Sequence, residues 1–433
     1  GAEHRLAPEL VDRLAARGVG LADTGCHWLN GIPTMSVLKP MLLLYRETKE
    51  PAFLAFANRI VAQWDRAADR PPNFLRNAGN GRPYHEWYCR PDFWAKTYES
   101  LSCLDGLVEH WRVTGSKRSL DTAIAVRDAL AAHERNQIGG LGICDKLIGA
   151  ETFTYAATEV CDVIHWIRLN LDLFLTTGDK RFLDDVETSY FNAFLAGVDR
   201  SGSWGPLFVR DFARHTVSKG QCGYAYHHCC IDNAPRTFLD MASCAVTRDT
   251  AGTFHVNFYQ DATVTLDGVT FEIRGDYPAH GTVRVAVAGD ARVAFRRPAW
   301  CRDLTVSEAR ADGKAVYTLT FDMNPRLLDG PDTAVAKKEG WHYARYLCRE
   351  QPLRSPLRDS YRATPAATVM VGPLLLAKSR RTGATQTELM DLATVRGQGY
   401  AVKPSPSRRS RPGSCPKPRS PPRRAWPSRP GRS

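Results

Sequence analysis

The chain has 433 residues, of which 43% are hydrophobic and 24% are charged. An intrinsically disordered protein would have far fewer apolar residues, and the 33 Gly and 27 Pro do not follow the repeating period of a fibrous protein. The longest strongly apolar run near the C-terminus, residues 369–377, is about half the length of a membrane span. These values predict a soluble globular protein of two or three domains with no membrane partner.

Most of the net charge of +12 lies in the C-terminal tail, which we define as residues 381–433. Residues 403–433 contain two Lys, eight Arg and no acidic residue, which leaves a net charge of +2 for residues 1–402. Such a segment can bind nucleic acid or an anionic surface. We favour a solvated, disordered tail or an out-of-frame translation of GC-rich DNA. Because the rest of the chain is nearly neutral, we expect no specific nucleic-acid partner.

The cysteines and the start of the chain bear on its compartment. The 12 Cys are mostly scattered singly, unlike the dense spacing of a small disulfide-rich domain. The chain begins at Gly1 and shows no charged-then-apolar leader. We therefore expect a reduced, cytoplasmic location, and we expect that processing or truncation removed the original start.

An internal repeat is the clearest feature of the first half of the chain. Three apolar segments each end at a threonine, and these are Thr48, Thr114 and Thr177, spaced 66 and 63 residues apart. In every copy an aromatic residue lies three positions before the threonine and a leucine lies six positions after it. Each copy predicts a helical hairpin that turns after Thr-Gly or Thr-Lys, with a second helix beginning near the leucine.

Helical pairs of roughly sixty residues are too long for the common helical solenoids and suit an α/α toroid. We therefore predict an (α/α)6-barrel-like catalytic domain over residues 1–250, with an ordinary helical bundle as the alternative. A closed toroid needs six pairs, whereas three are clear in the sequence. We expect an incomplete barrel, and such a barrel would close poorly and lose activity even with its site residues present.

Closely spaced strands follow after about residue 250. Alternating apolar residues indicate strands at 263–266, 269–273, 282–287, 293–296 and 316–321. Asp267-Gly268 forms a predicted turn between the first two. This pattern predicts an antiparallel β-sandwich domain over residues 251–380. The expected fold class is therefore α+β and multidomain, with the tail last.

A metal site is predicted from two separated segments. Cys229 and Cys230 are adjacent, and Glu159 lies two residues before Cys161. One carboxylate and three thiols match the ligand types and number of a tetrahedral zinc site. Because adjacent side chains on an extended backbone point apart, the backbone must turn at the paired cysteines.

Other interpretations of these residues stay open at this point. Free cysteines are often simply buried, and Cys229 and Cys230 could form a vicinal disulfide. His227 or His228 could replace a cysteine or Glu159 as a ligand.

The order of these motifs resembles glycoside hydrolase family 127, the β-L-arabinofuranosidases and their relatives. The resemblance rests on Glu-x-Cys at 159–161, followed by Cys-Cys at 229–230 with Asn three residues on. Three further segments agree, and these are 98–107, 297–300 and 372–377. The resemblance covers roughly residues 25–380 and implies an (α/α)6 barrel followed by β-sandwich domains.

The resemblance also implies roles for individual residues. Glu159, Cys161, Cys229 and Cys230 match the zinc ligands, Cys229 matches the nucleophile, and Glu151 matches the general acid/base. Zinc coordination deprotonates a thiol that would otherwise be mostly protonated at neutral pH. The expected reaction is a two-step, retaining hydrolysis that releases L-arabinose from β-L-arabinofuranosides or a related plant-derived sugar.

Three other classes of function are considered beside this one. A toroid glycosidase or lyase that uses only carboxylates would need no zinc. In a non-catalytic carbohydrate-binding or structural protein, Cys229-Cys230 would only hold the fold. A basic-tailed nucleic-acid binder is disfavoured by the nearly neutral body. The sequence does not predict the oligomeric state.

Overall fold

The computed structural model describes residues 35–65, 73–82, 95–142, 146–147, 157–197, 208–210, 228–328 and 368–376. The chain forms two compact units, residues 1–390 and 391–433, and all described residues belong to the first. The predicted tail, residues 381–433, lies outside the described residues. Among the described helices, none is both long and apolar enough to cross a membrane.

The described part of the chain before residue 244 is mainly helical. Its α-helices are α1 (Leu38–Thr48), α2 (Pro51–Gln63), α3 (Phe74–Asn77), α4 (Thr97–Thr114), α5 (Lys117–His133), α6 (Val160–Thr177), α7 (Arg181–Thr188) and α8 (His228–Ser243). A π-helical turn, Ser189–Phe194, continues α7. The three predicted hairpins are confirmed as α1/α2, α4/α5 and α6/α7.

Each hairpin turns at its predicted threonine through the same hydrogen bonds. The threonine Oγ1 donates to the carbonyl oxygen four residues earlier, at 2.8 Å for Thr48, 2.6 Å for Thr114 and 2.8 Å for Thr177. It also accepts a hydrogen bond from the N–H two residues later, at 3.2 Å in all three copies. The next residue is left-handed in all three copies, namely Lys49, Gly115 and Gly178. Its N–H bonds to the carbonyl of the repeated aromatic residue, which explains their fixed spacing.

The first helices of the three hairpins pack side by side in the order α1, α4 and α6, and α8 packs against α6 at the end of this row. Their core side chains are fully buried, including Leu38, Leu42, Leu104, Leu107, Ile164 and Ile167. Gly106 permits the close approach of α4 to α1, because a Cβ there would lie 2.9 Å from the side chain of Leu38. Burial of this apolar face stabilises the row of helices.

A repeated ion pair sets the register of this row. Arg46 of α1 lies 2.7 Å from Glu109 of α4, and Arg112 of α4 lies 3.1 Å from Asp172 of α6. In both pairs the arginine is two positions before its threonine, and the acid is five positions before the next threonine. The same offset between neighbours means that the three helices run parallel. Their N-terminal ends therefore lie at one end of the row.

The described residues that follow α8 form mostly strands. With four short strands among the helices, the strands are β1 (Ala95–Lys96), β2 (Lys146–Leu147), β3 (Ala157–Glu159), β4 (Phe208–Arg210), β5 (Val246–Arg248), β6 (Phe254–Val256), β7 (Ala262–Leu266), β8 (Val269–Arg274), β9 (Thr282–Ala288), β10 (Val293–Phe295), β11 (Leu304–Ala311), β12 (Lys314–Phe321), β13 (Arg326–Leu328), β14 (Thr368–Val371) and β15 (Leu374–Leu375). The fold is thus helices followed by sheets.

These strands form three sheets and two short pairs. The largest sheet is antiparallel in the order β11-β12-β9-β8-β7, and two three-stranded sheets have the orders β10-β6-β5 and β13-β14-β15. The two short pairs are β1-β2 and β3-β4. Strand β1 leads directly into α4, and β3 leads directly into α6. All five predicted strands are present, and Asp267 and Gly268 form the β7–β8 turn with φ of 48° and 79°.

Two features of the sheets differ from the sequence-based expectation. Strand β10 pairs parallel to β6 and so lies outside the five-stranded antiparallel sheet. Strand β11 was not predicted, because its side chains are almost all exposed and do not alternate in hydrophobicity. The positive φ angles of Asp312 and Gly313, 49° and 74°, form the turn into β12 that would have indicated it.

A buried arginine joins the helices to the sheets. Arg296 lies 2.7 Å from Asp184 and 2.8 Å from Glu187, both on α7. The hydroxyl of Tyr277 and the indole N–H of Trp300 donate to Glu187 at 2.6 and 2.9 Å. The segment 297–300, which carries part of the family resemblance, therefore has a structural role at this junction.

A second junction involves the segment 372–377. The side-chain amide of Asn192, in the π-helical turn, donates to the carbonyl of Pro373 at 2.8 Å. The N–H of Leu375 donates to the amide oxygen of Asn192 at 2.8 Å. This reciprocal pair attaches β15 to the helices.

The left-handed residue after the threonine gives a first prediction. Replacing Gly178 by Ala should lower the free energy of unfolding by about 1 kcal/mol, because φ is 74° there and an L side chain is strained. No atom lies within 4 Å of the added Cβ, so a steric clash does not contribute. Lys49→Gly, which relieves the same strain at φ 59°, should maintain or raise stability in denaturant unfolding. Equal losses in the two variants would contradict this interpretation.

The buried junction gives a second prediction. Glu187→Gln should lower the free energy of unfolding by about 3 kcal/mol, because Arg296 loses a buried ionic partner and the new amide group faces donors. The exposed pair between Lys117 and Asp121 is the control, and Asp121→Asn should cost less than about 0.5 kcal/mol. Similar losses in the two denaturant titrations would show that burial of the junction contributes little.

Candidate functional site

The predicted zinc ligands lie at the N-terminal ends of α6 and α8. Glu159 is the last residue of β3 and the N-cap of α6, with an extended backbone at φ −74° and ψ 142°. Cys161 is the second residue of α6. Cys229 and Cys230 are the second and third residues of α8. Both cysteines thus belong to the first turn of α8.

Helix α8 packs against α6 in parallel orientation. Arg168 of α6 lies 3.2 Å from Asp240 of α8. Nearer the helix starts, Arg236 of α8 lies close enough to Cys161 of α6 that an ionised thiol there raises the pKa of Arg236. Because both interactions advance in the same chain direction, the first turns of the two helices lie at the same end of the row. The backbone thus places the two predicted cysteine segments on neighbouring helix starts.

Several predicted residues lie wholly or partly outside the described structure. Glu151 and His227 lie outside the described residues. For His228, Cys229 and Cys230 the helical backbone is described and the side chains are not. Within the described side chains, no group of three or more His, Cys, Asp and Glu residues could hold a metal ion. Zinc binding by Glu159, Cys161, Cys229 and Cys230 therefore stays a prediction.

The segment around Glu159 is held firmly in place. Strand β3 pairs with β4, so that Glu159 lies opposite Phe208. The side-chain amide of Asn136 donates to Thr158 Oγ1 at 3.1 Å, and the Asn136 amide oxygen accepts from the Gly140 N–H at 2.8 Å. Both Glu159 and Cys161 are buried. These contacts orient the start of α6 before any ligand binds.

A further carboxyl, Glu99, lies at the same end of the row. It is in the first turn of α4, and Lys96 Nζ donates to its Oε1 at 3.1 Å. Burial raises the pKa of Glu99. The ring of Tyr98 lies 5.5 Å from that of His165, which connects the starts of α4 and α6. A buried carboxyl with a raised pKa can retain a proton closer to neutral pH than an exposed one.

A shared lysine in the first turn of α1 links three helices. Lys39 of α1 donates to both carboxylate oxygens of Asp105, at 3.0 and 2.9 Å, and to Asp172 at 2.5 Å. Burial, with the hydrogen bond and charge of Asp172, raises the pKa of Asp105 to about 7. Burial also raises that of Asp172, but the hydrogen bond with Asp105 and the charges of Lys39 and Arg112 hold its pKa below the usual range. One lysine thus binds two carboxyls whose pKa values are shifted in opposite directions.

This difference predicts a pH effect. A carboxyl whose pKa is raised by folding stabilises the fold most below its unfolded pKa, and the contribution is lost as the pH rises through the folded pKa. Because Asp105→Asn removes this titration, the variant should gain about 4 kcal/mol relative to the parent between pH 4 and pH 8. Asp172→Asn should lose stability by a nearly constant amount from pH 4 to pH 8, and this loss should shrink only below pH 4, because folding lowers the pKa of Asp172. Parallel trends in denaturant unfolding would contradict the assignment.

Comparison with known proteins identifies the family of the chain. Residues 22–242 match the family model of the β-L-arabinofuranosidase, GH127 catalytic domain. This region is half of the chain and contains all the predicted zinc ligands and Glu151. The chain therefore belongs to the GH127 β-L-arabinofuranosidase family. No match was found among curated proteins.

Solved structures share this fold at low sequence identity. A GH127 β-L-arabinofuranosidase from Geobacillus stearothermophilus T6 has a TM-score of 0.53 at 14% identity, over 78% of this chain and 57% of its own. A protein named as a glycoside hydrolase has a TM-score of 0.55 at 18% identity, over 82% and 61%. A GH127 β-arabinofuranosidase has a TM-score of 0.53 at 16% identity, over 78% and 55%. The chain thus spans less than two thirds of the length of these three proteins.

The sequence alone did not identify Lys39, Arg236 or Glu99 as residues near the site. Lys39 and Asp105 both lie nine positions before their repeat threonines, so aligning the copies would have suggested that they are neighbours. Arg236 is seven residues after Cys229, a spacing that returns to the same face of a helix. The burial of Glu99 is a tertiary property that its spacing does not report.

Proposed function

We propose that the chain is a retaining glycoside hydrolase that acts on β-L-arabinofuranosides or a related sugar, with a zinc-bound cysteine as its nucleophile. The match of residues 22–242 to the GH127 catalytic domain carries this proposal. In its support, Cys161 and the Cys229-Cys230 pair lie on the starts of adjacent parallel helices. The proposed location is the cytoplasm.

The proposal extends to the architecture. The hairpins α1/α2, α4/α5 and α6/α7 would form part of an (α/α)6 barrel, and the sheets after α8 would belong to a β-sandwich. In such a barrel the starts of the parallel inner helices border one opening. Loops before these helices, including those that carry β1 and β3, would then line the sugar pocket.

The donor set fits zinc. Glu159, Cys161, Cys229 and Cys230 would hold it, since one carboxylate and three thiolates suit a tetrahedral site. When bound, zinc would keep the cysteine sulfurs deprotonated. The buried, paired segment around Glu159 supplies a fixed half of this set.

The chain's own residues would then carry out two displacements. The sulfur of Cys229 attacks the anomeric carbon while Glu151 donates a proton to the departing oxygen. In the second step Glu151 takes a proton from water, which attacks the same carbon and releases the sugar from sulfur. Glu151 would need a raised pKa to be protonated near neutral pH.

Metal content and turnover of an aryl β-L-arabinofuranoside test the proposal together. Protein purified without added zinc should hold about one zinc per chain. Cys161→Ala should lose it because a first-turn ligand is removed, and Cys229→Ser should abolish turnover. Cys301→Ala, a buried cysteine of the sheet region, is the control and should keep both.

Each other outcome points to a different function. Zinc-free protein that cleaves glycosides would indicate a site that uses only carboxylates. Stoichiometric zinc without hydrolysis of a panel of aryl arabinofuranosides would indicate a non-catalytic protein. Undiminished turnover in Cys229→Ser would exclude this residue as the nucleophile.

A further inference from the structure

One face of α8 carries three polar residues in a row toward α6. Asn233, Arg236 and Asp240 are spaced by three and four residues, which places them on the same side of the helix. The Arg236 guanidinium donates to the side-chain oxygen of Asn233. Asp240 is bound by Arg168 of α6, which shows that this side meets α6. The polar row therefore lies at the contact between the two helices.

The guanidinium of Arg236 is directed toward the start of α8. Side chains on a helix lean toward its N-terminus, and the hydrogen bond to Asn233, one turn earlier, shows this direction. Cys230 is one further turn toward the N-terminus from Asn233. The positive charge is thus displaced from its own Cα toward the helix turn that contains Cys229 and Cys230.

The charges around Arg236 come from three helices. Burial and the neighbouring Arg168 lower its pKa, while Asp240, Asp105 and Cys161 act in the opposite direction. Within the described part of the chain Arg236 has no ion-pair partner of its own, and its buried Nε has no hydrogen-bond acceptor. Asp240 is already bound by Arg168. The positive charge of Arg236 therefore remains available to another anionic group.

We propose that Arg236 is a positioning residue that balances the negative charge of the thiolate centre formed by Cys161, Cys229 and Cys230. This inference rests on the proposed function. Three thiolates and the Glu159 carboxylate outweigh the charge of a divalent cation, and a low-polarity interior makes the excess unfavourable. A guanidinium beside the helix starts offsets the excess and favours deprotonated sulfur. Asn233 orients the guanidinium through its hydrogen bond. The ion pair between Asp240 and Arg168 forms the other end of the polar row.

Zinc affinity, measured by competition with a chromophoric chelator, tests this role. Arg236→Gln should weaken zinc binding by about tenfold or more, as removal of groups that support metal ligands commonly does. Without the guanidinium of Arg236 the thiols hold their protons more tightly. As the pH is lowered, the variant should therefore release zinc at a higher pH than the parent does. Arg236→Lys keeps the charge and should restore most of the affinity.

Arg112→Gln is the matched control. Arg112 is also a partly buried arginine on a parallel inner helix, but it pairs with Asp172 and Glu109 near the C-terminal end of α4. Its loss should lower stability and leave zinc affinity unchanged. Asn233→Ala keeps the guanidinium of Arg236 but removes its hydrogen-bonding partner, so it should give an intermediate loss of zinc affinity. This variant supplies the comparison if Arg236→Gln does not fold.

The outcomes separate the two proposals. If the parent binds zinc and Arg236→Gln, or Asn233→Ala in its place, binds it as tightly as Arg112→Gln does, the role of Arg236 is wrong and the proposed function stands. If Arg236→Lys is as weak as Arg236→Gln, the effect is not one of charge and the inference is also overturned. If the parent binds no zinc, the zinc-dependent function fails and this inference falls with it.

Discussion

The parallel packing of the first helices is the constraint on which the candidate site depends. Each helix stops at a threonine whose hydroxyl bonds the preceding turn and the following N–H, and this makes the helices end alike. The Arg46–Glu109 and Arg112–Asp172 pairs then hold neighbours in one register. With ends and register both set, the helix starts gather at one end. Residues far apart in sequence, such as Cys161 and Arg236, become neighbours in this way.

Much of the helical region could be predicted because its determinants are local. The repeated threonine and the left-handed residue after it act within one helix turn, so their spacing in the sequence reports the hairpins directly. The Asp267-Gly268 turn is equally local. Strand β11 is different, since its exposed side chains have no face to bury. The parallel pairing of β10 with β6 depends on the path of the chain between them, which no local pattern encodes.

The candidate site was predictable in part for a similar reason. The residue types in Glu-x-Cys and Cys-Cys suggest a metal by their chemistry, and their order suggests the family. The electrostatic setting is not visible in that order, because Lys39 reaches Asp105 and Asp172 only through the packing of three helices. Arg236 likewise acquires its interaction with Cys161 from the contact between α6 and α8. Pattern thus identifies candidate ligands, whereas the assembled helices determine the charges around them.

The junction at Arg296 has a consequence for the independence of the two regions. Cutting the chain after α8 would leave the partly buried carboxylate of Asp184 and the buried carboxylate of Glu187 without their counter-ion. The sheets alone would in turn retain a guanidinium that is fully enclosed only when α7 is present. Excising either region would therefore lower its stability at this junction. Shuffling or shortening of such genes is constrained to keep both parts together.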